Sequence, residues 1–378
     1  MTNKIEALYI HIPFCDHICT YCDFYKMVAK ESLKEKYIKY LIKELEMRYK
    51  QDYLNDIKTI YIGGGTPSSL NSDLLEELLT KIESCINLDK VVEYTFEANP
   101  GDISYNLAKI LKNHRINRVS LGVQSLDKDK LLFLGRNHTK ENVINAITIL
   151  QNVKIYNINA DLIYGVNDEK FGLIKKDLKI LSKMDLTHFS VYSLILEEKT
   201  ILKQKFTKGE FKIMNSDKER KLYYKIVKYL HKLGYHQYEV SNFSKQNFES
   251  VHNLTYWNNE HYLGIGSNAS YYMDDTRYTN INNLEKYFLG IDIKDLIYSE
   301  KNLLTEKDKI AEEIILGFRE TKGISLSDFK NKYNKDFFEV YPITNDLIAN
   351  KYLTFKDNFL AISPKYVYIM NEILLKFL

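Results

Sequence analysis

The alternation of strand-like and helical segments in the first half of the chain constrains the fold most. Six apolar runs typical of strands alternate with segments whose apolar residues have helical spacing. The strand-like runs are residues 7–12, 57–62, 91–97, 118–123, 155–163 and 188–194, and the helical segments are 34–49, 73–86, 103–111, 141–150 and 173–181. Repeated strand–helix units form a parallel sheet with right-handed crossovers. We therefore expect an α/β protein with a partial barrel of six βα units, because a closed barrel needs eight.

The second half of the chain has a different pattern. A long polar helix predicted over residues 218–233 precedes a mixed stretch, and a small module begins near residue 305. In this module we predict helices at 311–319, 326–333 and 337–350, a hairpin at 353–355 and 360–362, and a closing helix at 367–378. Helices followed by a two-stranded wing predict a small α+β, winged-helix-like domain. The predicted regions are the barrel (1–235), a connecting region that completes it (236–304) and the C-terminal module (305–378).

Composition excludes several kinds of protein. The 378 residues are 45% hydrophobic and 27% charged, an ordinary globular balance, and the net charge is only +3. We expect no nucleic-acid partner, because neither this charge nor the mixed charges of the C-terminal module favours one. No stretch approaches the ~18 apolar residues of a membrane span, and no signal peptide is visible. We expect a cytoplasmic protein, in which cysteines serve as metal or redox ligands rather than in disulfides.

Three cysteines follow the first predicted strand within eight residues. The segment from Tyr9 to Lys26 reads YIHIPFCDHICTYCDFYK, which places Cys15, Cys19 and Cys22 in a C-x3-C-x2-C spacing. Thiolates are soft ligands that suit iron–sulfur clusters, and such short spacings let one loop surround a cubane. Three ligands for a four-iron cluster leave one iron open to another molecule. We therefore predict a [4Fe–4S] site with an open coordination position.

A zinc site is the main alternative for this triplet. His11 or His17 would supply the fourth ligand of a Cys3His site, although no second cysteine pair follows further along the chain. The remaining cysteine, Cys85, lies on the helix predicted over 73–86. We interpret Cys85 as a small packed hydrophobe rather than as a ligand.

Glycines and isolated polar residues mark the ends of the other predicted strands. The second strand closes on the turn GGGTPS (63–68), in which glycines allow the backbone close to a ligand. Glu97, Gln124 and Asp161 are polar residues in or at the ends of apolar strands, and Arg136 could pair with a carboxylate. The carboxyl ends of parallel strands meet at one edge of the sheet. We expect these residues to form one binding site there.

The cysteine triplet, with Tyr21 before its last cysteine, resembles the radical SAM superfamily. This resemblance implies that S-adenosylmethionine (SAM) chelates the open iron and is cleaved to a 5′-deoxyadenosyl radical by an electron from the cluster. The segments YIHIPFC, GGGTPS, GVQS (122–125) and DLIYG (161–165) are similar to the oxygen-independent coproporphyrinogen III oxidase group. By this resemblance the residues that contact SAM are Tyr9, Tyr21, Gly64, Gly65, Thr66, Glu97, Gln124, Arg136 and Asp161.

Two branches of that group differ beside the cluster loop. The oxidases carry a further cysteine two residues after the third, where this chain has Phe24. The heme chaperone branch has phenylalanine there and an HNxxYW motif, and this chain reads HNLTYW from His252 to Trp257. The oxidases also extend further ahead of the cluster loop, where this chain has only 14 residues. The resemblance therefore favours the heme chaperone branch.

Membership of this branch implies a function and a set of partners. The chain would bind heme and deliver it to an acceptor protein while carrying the cluster and SAM, with an electron donor such as flavodoxin or ferredoxin. Neutral imidazole is a common axial ligand of heme iron, so His252 is the candidate ligand. A structural loop around His252, or ligation by His11, His17 or His261, stays open, as do a homodimer and a peripheral membrane location during delivery. Oxidative decarboxylation of coproporphyrinogen III is the alternative function, and whether the chain is an enzyme is undecided.

Overall fold

A large sheet organises the computed structural model, which describes residues 4–377. Within these residues the sheet has twelve strands in the order β12-β11-β10-β9-β1-β2-β3-β4-β5-β6-β8-β7. The strands are β1 (Ala7–Ile12), β2 (Thr59–Gly64), β3 (Glu93–Ala98), β4 (Arg118–Gln124), β5 (Asn157–Tyr164), β6 (His188–Ser193), β7 (His236–Gln237), β8 (Asn242–Ser244), β9 (Tyr262–Ile265), β10 (Ser270–Met273), β11 (Thr276–Asn280) and β12 (Tyr298–Leu303). Neighbouring strands from β9 through β1 to β6 are parallel, and the remaining pairs are antiparallel.

Ten helices accompany this sheet in the described chain. They are α1 (Glu31–Lys50), α2 (Ser72–Cys85), α3 (Tyr105–Asn113), α4 (Lys128–Phe133), α5 (Lys140–Asn152), α6 (Phe171–Ser182), α7 (Ile201–Thr207), α8 (Ser216–Lys232), α9 (Val251–Trp257) and α10 (Leu284–Asp292). Several start where a side chain can accept a hydrogen bond from a free backbone N–H, as Asn71, Ser104 and Thr139 do for α2, α3 and α5. The predicted partial barrel of six βα units is confirmed. The strand β9 adds a parallel neighbour to β1 that the sequence did not predict.

The two faces of the parallel strands differ in polarity. On β1 to β6 every second residue is apolar and packs into one core with the helices, for example Ile10, Ile60 and Phe96. The intervening residues face the inside of the curved sheet and include Glu97 and Arg118. Successive side chains of a strand point to opposite faces of the sheet. The outer face of these strands is therefore apolar and packs against the helices, and the inner face is polar. The polar interior is where a ligand can be held.

The C-terminal module has its own sheet and core. Its elements are α11 (Glu306–Gly317), β13 (Ile324–Ser325), α12 (Leu326–Tyr333), α13 (Phe337–Val340), α14 (Ile343–Ala349), β14 (Leu353–Lys356), β15 (Phe359–Ile362) and α15 (Met370–Leu374). The sheet order is β13-β15-β14, and a core separate from the main one includes Phe318 and Phe329. A small antiparallel sheet with helices confirms the predicted α+β module. The region boundaries at 235 and 304 remain predictions.

Two helices predicted in this module differ in the structure. The helix expected over 337–350 is divided into α13 and α14, because Pro342 cannot donate the backbone hydrogen bond that a continuous helix needs. The closing helix expected over 367–378 is a 3-10 turn, Pro364–Ile369, followed by α15. Leu378 lies outside the described residues. None of the helices within residues 4–377 is both long enough and apolar enough to cross a membrane.

Candidate cluster and cofactor site

The cysteine loop leaves β1 and folds back against it. Its ends are closed by hydrogen bonds from Cys15 N to Met27 O (2.9 Å) and from Met27 N to Pro13 O (2.7 Å). The thiols of Cys15, Cys19 and Cys22 line one cavity of about 360 Å³ at the carboxyl ends of the parallel strands. The structure therefore brings the three predicted ligands to one place.

Polar groups surround the sulfur atoms of this loop. Thr66 Oγ1 donates to Cys15 Sγ (3.3 Å), and Arg136 Nη1 donates to Cys19 Sγ (3.3 Å). Burial raises the pKa of Cys15 to about 11 and raises the pKa of Cys22. The free thiols of Cys15 and Cys22 are therefore protonated at neutral pH, and metal binding must release those protons. Donors aimed at two of the sulfurs suit thiolates that carry negative charge in the bound state.

The hydrogen bonds of His11 bear on the zinc alternative. A Cys3His zinc site needs a histidine whose ring nitrogen is free to bind the metal. His11 is unsuited as a fourth ligand because its Nε2 donates to Tyr25 O (3.1 Å) and its Nδ1 accepts from Tyr9 (2.8 Å).

The glycine turn after β2 forms a wall of the same cavity. Gly64 has a φ of +114°, and a Cβ there would lie 2.5 Å from the ring of His11. A Cβ on Gly65 would lie 2.8 Å from the carbonyl oxygen of Phe14. Side chains are thus excluded from both positions, and the backbone itself faces the cavity.

Glu97 lies at the end of β3 against this turn. Its carboxylate accepts hydrogen bonds from Tyr61 Oη (2.6 Å) and from Gly64 N (3.1 Å). Burial raises the pKa of Glu97 to about 7, and these two hydrogen bonds limit the rise. Glu97 is therefore an acceptor whose charge changes near neutral pH.

Three further predicted residues face the cavity from β4, β5 and the loop after α4. Arg136 Nη2 donates to Asn99 Oδ1 (2.6 Å) and to the carbonyl of Gly122 (2.7 Å), which fixes the guanidinium beside Cys19. Asp161 accepts from Ser120 Oγ (3.0 Å). The third is Gln124, which ends β4 with a φ of +59° at an irregularity in the pairing with β5. Gln124 continues the alternation of Arg118, Ser120 and Gly122, which also line the cavity, so its side chain faces the same side of the sheet.

Eleven of the thirteen residues predicted for the site line this cavity. They are Cys15, Cys19, Cys22, Tyr21, Gly64, Gly65, Thr66, Glu97, Gln124, Arg136 and Asp161. Tyr9 and His252 do not line it. Tyr9 lies behind the wall, with its ring 6.2 Å from that of Tyr61 and its hydroxyl bonded to His11. Tyr9 can therefore affect a bound ligand only through these neighbours.

Comparisons with known proteins give the family. The model of the radical SAM superfamily matches residues 9–178, and that of the HemN C-terminal domain matches residues 304–365. A protein named heme chaperone HemW from Lactococcus lactis is 38% identical over 94% of this chain and 93% of its own length. The chain belongs to the HemW family of the radical SAM superfamily. The resemblance proposed from the sequence is confirmed.

Other comparisons agree with this assignment to the HemW family. The heme chaperone HemW of Bacillus subtilis is 35% identical over 92% of both chains. Among solved structures, coproporphyrinogen III oxidase (HemN) from Escherichia coli, described as a radical SAM enzyme, matches with a TM-score of 0.84. That match covers 99% of this chain and 90% of the other at 20% identity, so it shows a shared fold.

The HNLTYW motif (252–257), which resembles a motif of the heme chaperone branch, forms most of helix α9. His252 is fully buried, and its ring nitrogens are bonded to Thr59 Oγ1 (2.9 Å) and Tyr256 Oη (2.7 Å). Burial lowers the pKa of His252 to about 3, so the ring is neutral. The hypothesis that His252 binds heme finds no support here, because neither nitrogen is free to reach an iron atom. The structural alternative, in which His252 anchors α9, fits these contacts.

The cavity also contains residues that sequence reasoning missed. Arg118, Ser120, Asn159, Ser190 and Asn253 line the interior below the predicted residues. Asn159 Nδ2 donates to Ser120 Oγ (2.8 Å) and to Ser190 Oγ (3.0 Å), so three strands share one polar network. Arg118, Ser120, Asn159 and Ser190 lie on β4 to β6. They could have been identified from the sequence as polar residues at alternate positions of otherwise apolar strands. Asn253 had no such signal, since α9 reaches the interior only through tertiary packing.

Proposed function

We propose that this protein binds heme and transfers it to an acceptor protein, and that it holds a [4Fe–4S] cluster with SAM. Similarity to proteins named heme chaperone along nearly the whole chain supports the proposal. The observation that carries it against the oxidase alternative is Phe24. This side chain lies on the wall of the cluster cavity and is 67% exposed, at the position where the oxidases carry a further cysteine. A phenyl ring cannot act as a thiol ligand, acid or base.

The geometry described above supports the following assignment of residues to the two cofactors. Cys15, Cys19 and Cys22 would supply the thiolates of the cluster. When bound, the cluster and SAM together supply one-electron chemistry. The SAM pocket would consist of Tyr21, Gly64, Gly65, Thr66, Glu97, Gln124, Arg136 and Asp161, with Tyr9 supporting it from behind.

The proposed roles of these residues are binding and orientation. Gly64 and Gly65 would bring backbone amides and carbonyls against SAM where no side chain fits. The ionised carboxylate of Glu97 would accept hydrogen bonds from the ribose hydroxyls. Arg136 would meet the SAM carboxylate, since its guanidinium is already held by Asn99 and Gly122.

Oxidative decarboxylation of coproporphyrinogen III is the second candidate function. The whole fold is similar to that of the Escherichia coli oxidase, so this activity is tested alongside heme binding. A heme chaperone needs a heme site and an acceptor, whereas an oxidase needs turnover of a porphyrinogen. An electron donor such as flavodoxin or ferredoxin would be required for any reduction of the cluster.

One anaerobically reconstituted sample can separate these functions. We expect a saturable heme spectrum with a Soret band near stoichiometric heme, and no SAM-dependent consumption of coproporphyrinogen III under reducing conditions. Transfer is then followed by mixing the heme-loaded protein with an apo-acceptor and measuring loss of heme after separation. Absence of saturable heme binding would overturn the chaperone proposal, and turnover of coproporphyrinogen III would establish the oxidase instead.

A further inference from the structure

A strongly basic segment follows the last parallel strand, β6. Residues 199–232, which comprise α7, α8 and the connection between them, contain eleven lysine and arginine side chains but only three carboxylates. This surplus of eight positive charges is larger than the net charge of +3 of the whole chain. The rest of the chain is therefore slightly acidic, and the positive charge of the molecule is concentrated in this segment.

The lysines of α8 form a stripe along its exposed face. They recur at intervals of three and four residues, which places them on one side of the helix over about 20 Å. The stripe consists of Lys218, Lys221, Lys225, Lys228 and Lys232, all of them exposed. The opposite side of α8 is apolar and is buried in the main core. The basic side chains of α8 are therefore free to meet another molecule.

Most of the positive charges in this segment have no acidic partner within the protein. Of the eleven basic side chains, three form a salt bridge with a carboxylate of residues 4–377, namely Lys203, Lys218 and Arg220. Like charges three or four residues apart on a helix repel one another and destabilise it slightly. An acidic molecule that covers the stripe relieves this repulsion.

Helix α7 attaches the basic segment to the cysteine loop. Leu202 N donates a hydrogen bond to Thr20 O (2.8 Å) in the middle of that loop. Thr20 Oγ1 in turn donates to Phe133 O (3.1 Å), and the ring of Phe133 packs edge-on against that of Phe211 at 5.1 Å. Both α7 and the connection to α8 are therefore fixed beside the loop that carries the cysteines. A protein bound on α7 lies next to the cluster cavity.

Two apolar side chains are exposed among these lysines. Ile201 is 43% exposed and Ile213 is 50% exposed. The other apolar residues of α7 are occupied, since Leu202 is buried and the ring of Phe206 packs 5.8 Å from that of Phe211. A helix that binds a membrane needs its whole apolar face free for the lipid, whereas a small apolar centre with a polar rim is typical of protein interfaces. The surface therefore fits a protein better than a bilayer.

We propose that an acidic electron-donor protein docks on α7 and the first half of α8. The inference rests on the proposed function, because the chain needs such a donor only if it holds the cluster. The concentrated positive charge attracts a negatively charged protein and speeds its association. In the complex one electron passes from the reduced donor, which is oxidised by one electron, to the cluster, which is reduced by one, and no bond forms or breaks.

Calorimetric titration of the full-length protein with an acidic flavodoxin tests this surface. We expect wild-type binding that weakens as salt is added, and an affinity about tenfold lower in the double variant Lys208→Glu/Lys212→Glu. The matched control is Lys39→Glu/Lys50→Glu, which reverses two exposed lysines of α1 and should bind like the wild type. Carbodiimide cross-linking, which joins lysine amines to carboxylates in contact, should attach flavodoxin to peptides within residues 199–225.

The outcomes separate this inference from the function on which it rests. Equal flavodoxin affinity in the wild type and in Lys208→Glu/Lys212→Glu would overturn the docking surface, and so would equal losses in both double variants. Binding to vesicles of phosphatidylcholine and phosphatidylglycerol without binding to flavodoxin would make the segment a membrane contact instead. Heme titration of the same wild-type sample tests the function separately. Saturable heme binding without flavodoxin binding refutes the docking surface alone, and the reverse result refutes the chaperone proposal alone.

Discussion

At the scale of single residues, we predict that the buried carboxyl group of Glu97 makes SAM binding sensitive to pH. Its pKa of about 7, raised by burial, means that it is protonated and neutral below that pH and ionised above it. If the ionised form accepts the ribose hydroxyls, SAM affinity falls as the pH drops below 7, by up to roughly tenfold per pH unit. Calorimetric titration with SAM between pH ~6 and ~8 measures this dependence.

Glu97→Gln is the control for that experiment. An amide does not titrate, so the variant should bind SAM weakly with an affinity that is flat across the same range. A Gln variant that keeps the pH dependence of the wild type would assign the titration to another group. The neighbouring Asp161, whose pKa burial also raises, is the first to examine in that case.

A pair of cysteine substitutions tests the ligand assignment. In Cys19→Ala we expect loss of most iron and sulfide after anaerobic reconstitution, because the cluster loses one of three protein ligands. Cys85→Ala should retain the full content, since Cys85 is buried among apolar residues on α2. Iron and sulfide analysis of both variants decides the assignment. Equal cluster content in the two would contradict it.

At the scale of elements, the turn after β2 depends on a glycine. Gly64→Ala forces a side chain into a left-handed conformation and against the His11 ring, so we expect a loss of more than about 2 kcal/mol in unfolding free energy. Gly172, in the first turn of α6, has open space around its Cα. Gly172→Ala should be neutral or stabilise by up to ~1 kcal/mol. Denaturant unfolding of both variants measures the contrast, and similar losses would refute the strain argument.

Helix α9 is held at its N-terminus by a buried carboxylate on the sheet. Glu93 accepts hydrogen bonds from Ser250 Oγ (3.0 Å), Val251 N (2.7 Å) and His252 N (3.3 Å). In Glu93→Ala these buried donors lose their partner, and we expect a loss of about 2–4 kcal/mol in unfolding free energy. Ser104→Ala, which removes an ordinary cap from α3, should lose only ~1 kcal/mol. A smaller loss for Glu93→Ala than for Ser104→Ala would show that α9 is positioned by other contacts.

At the scale of the whole molecule, the sequence predicted what local patterns encode. The six βα units were found because each strand and each helix carries its own periodicity. The strand β9 was not, because it joins β1 across about 250 residues of chain and no local pattern encodes that pairing. The division of the helix at Pro342 is encoded by the proline itself, a signal that apolar spacing alone does not contain. Eleven residues of the cavity were predicted from motifs at strand ends and from the family resemblance, whereas Asn253 could be placed only by tertiary packing.

The separate core of the C-terminal module predicts how a mutation will spread. Phe329 is fully buried in that core, so Phe329→Ala should destabilise the module by about 3–5 kcal/mol. Because the barrel residues belong to another core, we expect faster hydrogen exchange in α11 to α15 and unchanged exchange in β1 to β6. Peptide-resolved hydrogen exchange of the variant and the wild type measures this. Faster exchange throughout would show that the two cores unfold as one unit.

The pairing of β1 with β9 has a consequence for how the protein is made. Strand β1 leads directly into the cysteine loop, and its two neighbours are β2 and β9. On the ribosome β1 can pair with β2 early, but its other edge stays open until residue 265 has emerged. A nascent chain stopped before that point exposes an unpaired strand beside three free thiols. The second edge of the strand that supports the cysteine loop is therefore paired late in synthesis, after most of the barrel already exists.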